Sequence, residues 1–84
     1  MPRVKVVFFA SLKEAMGKSE HHVELDLPLT ITQIKQQLAS DLAHGDALLA
    51  SGIQSSVDFE FTRDTDWVPE TALEVAFFPP VTGG

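Results

Sequence analysis

Apolar and polar residues alternate or recur along this chain with periods that mark out its elements. Arg3 to Phe9, "RVKVVFF", is rich in β-branched and aromatic residues and predicts a strand. Its period of two places Val4, Val6 and Phe8 on one face and Lys5, Val7 and Phe9 on the other. "SLKEAMG" then predicts a short helix resting on Leu12, Ala15 and Met16. Ser11 and Glu14 would form its capping box, and Gly17 would follow its C-terminus. His21 to Leu27 alternates again, with Val23, Leu25 and Leu27 inward. The short connection from Gly17 predicts that this strand runs antiparallel to the first.

Pro28 stops the second strand, and Thr30 with Gln33 predicts a capped helix start. Ile31, Ile34, Leu38 and Leu42 then recur with helical spacing on one face, with Gly45 expected to end the helix. "DALLASG" suggests a further helical turn. Ile53 to Phe61 reads as a single alternating strand with Ile53, Val57, Phe59 and Phe61 on one side. The polar stretch from Thr62 to Thr71 reads as turns around a short strand at Trp67 and Val68, with Trp67 expected to pack. Leu73 to Phe78 is the last strand. One long amphipathic helix must therefore cover one face of one mixed sheet. The expected class is α+β, a β-grasp or ubiquitin-like fold with the first and last strands parallel and adjacent. Residues 1–80 would form the domain and residues 81–84 a flexible C-terminal Gly-Gly tail.

This arrangement leaves the opposite face of the sheet without a helix. Val7 and Phe9 of the first strand and Ala76 and Phe78 of the last would share that face and run into Pro79 and Pro80. A contiguous apolar cluster of this kind marks a partner site on a small domain. The two prolines cannot donate to a ladder, so they end the strand and launch the chain outward. Val81 and Thr82 then serve as a spacer. Gly83 and Gly84 carry no Cβ, so their backbone fits a narrow channel in another protein. The group delivered there would be the α-carboxylate of Gly84, which becomes reactive once activated as an acyl-adenylate.

Composition narrows the choices. The 84 residues make one domain, and the chain has no cysteine, so neither a disulfide nor a thiol contributes. A net charge of −6 argues against a nucleic-acid partner, since phosphate binding needs Lys and Arg. No apolar run approaches the roughly 20 residues that span a bilayer, so no membrane partner is expected and the cytoplasm is the expected compartment. His21 and His22 are adjacent on a strand and point to opposite faces, and His44 brings no further ligand spacing, so no metal site is expected. Asp64, Asp66 and Glu70 read as solvated turn residues.

"VKVVFFASLKEAMG" near the start and "EVAFFPPVTGG" at the end resemble the MoaD family of sulfur carriers, the small subunits of molybdopterin synthase. The resemblance covers essentially the whole length. It implies that a ubiquitin-activating-type adenylating enzyme uses ATP to charge Gly84, and that sulfur then replaces the adenylate as a thiocarboxylate. It further implies that the large synthase subunit accepts the tail and that the sulfur passes to a cyclic pyranopterin precursor. On this reading the chain binds no cofactor of its own and is not an enzyme alone. In the family a Gly-Asp turn usually precedes the last strand and an Asn is usual in the third; Ala72-Leu73 and Asp58 stand there here. The residues leave open a thiamine-pathway carrier, a protein modifier that forms isopeptide bonds, and a plain β-grasp binding module.

Overall fold

A computed structural model describes residues 3–80. Strand β1 (Arg3–Phe8) is followed by helix α1 (Ala10–Met16) and strand β2 (Glu20–Glu24). A two-residue strand β3 (Leu29–Thr30) leads into the main helix α2 (Ile31–Asp41), and a 3-10 helix (Gly45–Leu49) comes next. Strands β4 (Gln54–Val57), β5 (Glu60–Thr62), β6 (Trp67–Val68) and β7 (Glu74–Phe78) complete the chain. The main sheet has five strands in the order β2-β1-β7-β4-β5, and β3 pairs with β6 in a separate ribbon. β1 and β7 are parallel neighbours, with Val6 opposite Val75 and Phe8 opposite Phe77. The other main-sheet pairs are antiparallel. This is the mixed sheet with one main helix that the pattern predicts.

The core lies between α2 and one face of the sheet. Ile31, Ile34 and Leu38 are fully buried against a cluster that includes Val4, Val6, Phe8, Leu25, Val75 and Phe77. α2 starts at a complete capping box. The Thr30 hydroxyl accepts from the Gln33 backbone N–H, and the Gln33 side chain accepts from the Thr30 N–H. The helix ends at Asp41, with Leu42 as its C-cap, and so stops short of Gly45. Gly45 instead lets the 3-10 helix approach the last turns of α2. A Cβ there would stand 2.5 Å from the Leu38 carbonyl oxygen. The left-handed residue after α2 is His44, at φ 64°.

α1 differs from expectation at its start. Its N-cap is Phe9, whose side chain makes no capping bond, and Leu12 N–H donates to the Phe9 carbonyl. Ala10 turns the chain directly out of β1 at φ 52°, so the helix begins two residues too early for Ser11 to cap it. Gly17 closes the helix as expected, donating its N–H to the Lys13 carbonyl. Leu12 and Met16 are buried, whereas Ala15 is exposed.

The stretch 53–61 is a hairpin rather than one strand. Val57 lies opposite Glu60, so Asp58 and Phe59 alone form the turn, both with positive φ (48° and 72°). A two-residue turn with both φ positive is the type that matches strand twist, and it ordinarily selects Asn-Gly, Asp-Gly or Gly-Gly. Asp58 fits the first position, but Phe59 stands where Gly is expected, which is why the turn does not show in the residue pattern. The turn also reverses which residues face inward. Ile53 and Ser55 are buried before it and Val57 packs on the core, but Phe61 pairs with Ser56 and points to the other face. Phe59 and Phe61 are 85% and 79% exposed, against the inward placement expected from sequence. Trp67 is likewise mostly exposed, so its expected packing role does not hold, while its neighbour Val68 is fully buried.

Among the described residues one cation is buried. Lys35 follows Ile34 beside the apolar stripe of α2, and its ammonium reaches Asp64 Oδ1 at 2.7 Å and the Ile53 carbonyl at 2.9 Å. The stem fills apolar space while the head group finds an anion and a carbonyl. This bond anchors the otherwise polar 62–66 segment to the helix, aided by the Thr32 hydroxyl, which donates to the Asp64 carbonyl.

Two outcomes test this packing. Ile34→Ala or Leu38→Ala should cost about 2–5 kcal/mol through lost burial and a residual cavity, read from denaturant unfolding. An unchanged midpoint for both would mean that α2 presents a different face. Phe59→Gly should stabilise the protein by up to about 1 kcal/mol, because relief of the left-handed backbone strain outweighs the added freedom of the unfolded chain. A lower melting temperature would show that the exposed ring is held by contacts worth more than that strain.

Candidate functional site

The outer face of the sheet follows from the strand register. Val7 lies opposite Ala76, Ala76 opposite Ser56, and Ser56 opposite Phe61. Strand partners share a face, so these four residues form one row across β1, β7, β4 and β5. Phe78 stands two residues beyond Ala76 on the same side, opposite Gln54. Its ring is flanked by two others. The Phe9 centroid is 6.4 Å away with planes at 67°, and the Phe61 centroid is 5.7 Å away with planes at 76°. Both are edge-to-face contacts within the favoured range of aromatic pairs. Phe78 is half-buried at the centre, whereas Phe9 is 49% exposed. The result is an aromatic row open to solvent on the face away from α2.

The structure thus brings Val7, Phe9, Ala76 and Phe78 together on one face. It also separates their capacities. Ala76 is only 4% exposed, because its methyl lies in the middle of a central strand between Val7 and Ser56. It forms the floor of the patch and leaves little of its own surface open to solvent. Phe61 supplies the missing wall. Its place was hidden by the unrecognised Asp58-Phe59 turn, and no local signal in the sequence exposes it.

Further along the same face the character changes. Lys5, two residues before Val7, lies 3.5 Å from Glu20 and 3.7 Å from Glu74. These ion pairs are partly solvated and contribute little stability. They do give the apolar row a charged border on one side. The start of β7 is held by Asp58, whose Oδ1 accepts from the Leu73 and Glu74 N–H groups at 3.0 Å each. The Asp58 N–H donates in turn to the Glu74 carbonyl at 2.9 Å. The β4–β5 turn thereby fixes the start of the strand that carries Phe78.

Pro79 is half-buried and Pro80 exposed at the end of β7. Val81, Thr82, Gly83 and Gly84, expected to form the reactive tail, lie outside the described residues. Among the described residues no group of His, Asp and Glu side chains is arranged to hold a metal ion. His21 is partly buried and His22 exposed. Burial, followed by Lys18 and His22, lowers the His21 pKa, with Asp41 opposing. Its imidazole is therefore neutral near pH 7. Among the described residues no helix is long and apolar enough to cross a membrane.

The sequence matches the ThiS family over residues 6–84. The molybdopterin synthase sulfur carrier subunit of Escherichia coli (strain K12) is 40% identical over 88 residues, covering 96% of this chain and 99% of that protein. The crystal structure of SAMP1 from Haloferax volcanii superposes with a TM-score of 0.77 at 21% identity, covering 98% of this chain and 99% of its own. A putative molybdopterin converting factor, subunit 1, from Pyrococcus furiosus gives a TM-score of 0.74 at 16% identity, covering 96% and 100%. At such low identity the two structures speak for the fold, which is the ubiquitin-like β-grasp. With a match that takes in nearly every residue, and a curated relative alike along its whole length, this chain belongs to the ThiS family.

Proposed function

We propose that this chain is the sulfur carrier and sulfur-donor subunit of a molybdopterin synthase. The observation that carries the reading is the 40% identity, over nearly the full length of both chains, to the Escherichia coli subunit of that name. The sequence around the expected reactive group agrees with it: "FFPPVTGG" joins the last strand to a diglycine, and the family match extends to residue 84. A chain with no cysteine has no thiol on which to carry sulfur. The α-carboxyl group of Gly84 is the group that does so on this reading.

The chemistry requires an outside enzyme. A carboxylate oxygen of Gly84 attacks the α-phosphorus of ATP on a ubiquitin-activating-type adenylating enzyme, and pyrophosphate leaves. A sulfur nucleophile then attacks the acyl carbon and displaces AMP, which leaves a thiocarboxylate. The charged chain docks on the large synthase subunit, threads its diglycine into the active site there and gives its sulfur to the cyclic pyranopterin precursor. The chain itself binds no cofactor and performs these steps only within the complex, in the cytoplasm where ATP is supplied. Its own contributions are the docking surface, Phe9, Phe61 and Phe78 with Val7, and a narrow terminus without side chains.

Intact-mass analysis tests the carrier role directly. After incubation with the adenylating enzyme, ATP and a sulfur source, the mass should rise by the difference between one sulfur and one oxygen. An unchanged mass, while the Escherichia coli carrier is charged in parallel with its own enzyme, would end the reading.

The docking surface has its own test. Truncation of an aromatic anchor at the centre of an interface costs more than about 2 kcal/mol, and a charge placed there costs further desolvation. Phe78→Asp should therefore weaken binding to the large subunit by at least thirtyfold or so, with Phe61→Asp in the same direction. Calorimetry giving wild-type affinity for both variants would remove this face from the interface.

The terminus can be tested by length. One residue added after Gly84 moves the carboxylate by up to ~3.3 Å, whereas a reacting group has to be held within about 0.5 Å. The extended protein, shown by mass to be unprocessed, should bind the large subunit normally and support no molybdopterin synthesis. Retained synthesis would mean that sulfur is carried elsewhere.

A further inference from the structure

Pro80 has a specific seat. β4 and β7 are antiparallel with Gln54 opposite Phe78, and continuing that register by two residues brings Gly52 opposite Pro80. Pro80 has no N–H, so no ladder bond can form between them from its side. Contact replaces it: a Cβ on Gly52 would stand 3.2 Å from both Cβ and Cγ of Pro80 and 3.9 Å from Cδ. The pyrrolidine ring thus lies over a bare backbone. Gly52 also has φ 86°, a conformation that residues with side chains rarely adopt.

The seat is anchored. The next residue, Ile53, is buried, and its carbonyl accepts from the ammonium of Lys35 at 2.9 Å. Lys35 is itself fixed by Asp64. The Ile53 N–H reaches back to the Ala50 carbonyl at 3.5 Å, closing the loop after the 3-10 helix. Helix α2 therefore holds, through one buried cation, the backbone against which the last described residue rests.

We infer that Gly52 is a positioning residue for sulfur transfer: its bare backbone, next to the Lys35-anchored Ile53 carbonyl, seats Pro80 and sets the direction in which the chain leaves the sheet at Pro80. This rests on the reading that Gly84 carries the sulfur. Delivery of a terminal carboxyl into another protein's active site depends on where the chain departs as well as on where the domain docks. Docking and aiming belong to different residues here. The aromatic row on the outer face docks; the Gly52 seat aims. A Cβ at position 52 presses on two carbons of the Pro80 ring, and the three atoms nearest to it all belong to Pro80.

The test compares wild type, Gly52→Ala and Gly52→Asn, each shown by melting to be folded at assay temperature. Asn tolerates positive φ, so it introduces a side chain with less backbone strain and serves if the Ala variant does not fold. Thiocarboxylate formation is followed by intact mass with adenylating enzyme, ATP and a sulfur source, over a range of carrier concentrations. Gly52→Ala and Gly52→Asn should lower kcat at least about tenfold, since small misplacements remote from the chemistry reach a hundredfold. KM should stay within about twofold, because docking is unaltered. A merely destabilised loop would lower the melting temperature without this split between kcat and KM. Wild-type kcat in both variants, or a loss carried by KM instead of kcat, would overturn the inference while leaving the carrier role intact. Failure of the wild type itself to become charged would overturn both.

Discussion

The parallel pairing of β1 with β7 is the constraint on which the rest depends. It joins the two ends of the described chain at the centre of the sheet, with Lys5, Val6, Val7 and Phe8 opposite Glu74, Val75, Ala76 and Phe77. One side of that pair is the core: Val6, Phe8, Val75 and Phe77 are essentially unexposed and pack under α2. The other side is the candidate site, with Val7, Ala76 and the rings of Phe9 and Phe78. Side chains alternate along a strand, so a slip of one residue in either strand would exchange the two sets. The fold and the candidate site are therefore specified by the same register. The Phe9 N–H, which donates to the Phe77 carbonyl, carries the ladder one residue past β1 and holds Phe9 beside Phe78.

Much of this was legible in the sequence because its cues are local. The capping box at Thr30 and Gln33, the helical spacing of Ile31, Ile34 and Leu38, and the alternation of Val4, Val6 and Phe8 each bring their structural cause within a few residues. The hairpin at Asp58-Phe59 was not legible, because its turn residues are held by the tertiary structure. Asp58 binds two amides at the start of β7, far away in sequence, and that bond favours a turn conformation which Phe59 alone resists. Missing the turn placed Phe61 on the wrong face and removed one of three rings from the candidate site. The helix end was misplaced for a related reason. Gly45 is required by close approach to Leu38 and Ala39, a packing demand that looks in sequence like a helix stop. Lys35 hid in another way: a charged residue beside an apolar stripe reads as solvated until its distant partners, Asp64 and Ile53, are known.

An exposed aromatic row is a liability in a small protein, since an apolar face open to solvent also attracts copies of itself. Two features of this chain work against self-association. Its net charge of −6 makes every copy repel every other, and Glu20 and Glu74 stand at the border of the apolar row with only Lys5 between them. Like charges brought together around an apolar contact offset part of the gain from burying it. A partner whose rim is basic meets the opposite situation, because the same border then speeds encounter and favours the correct orientation. On the proposed function, the apolar centre would supply affinity and the acidic surround discrimination, so that short-range packing and long-range charge divide the work of recognition.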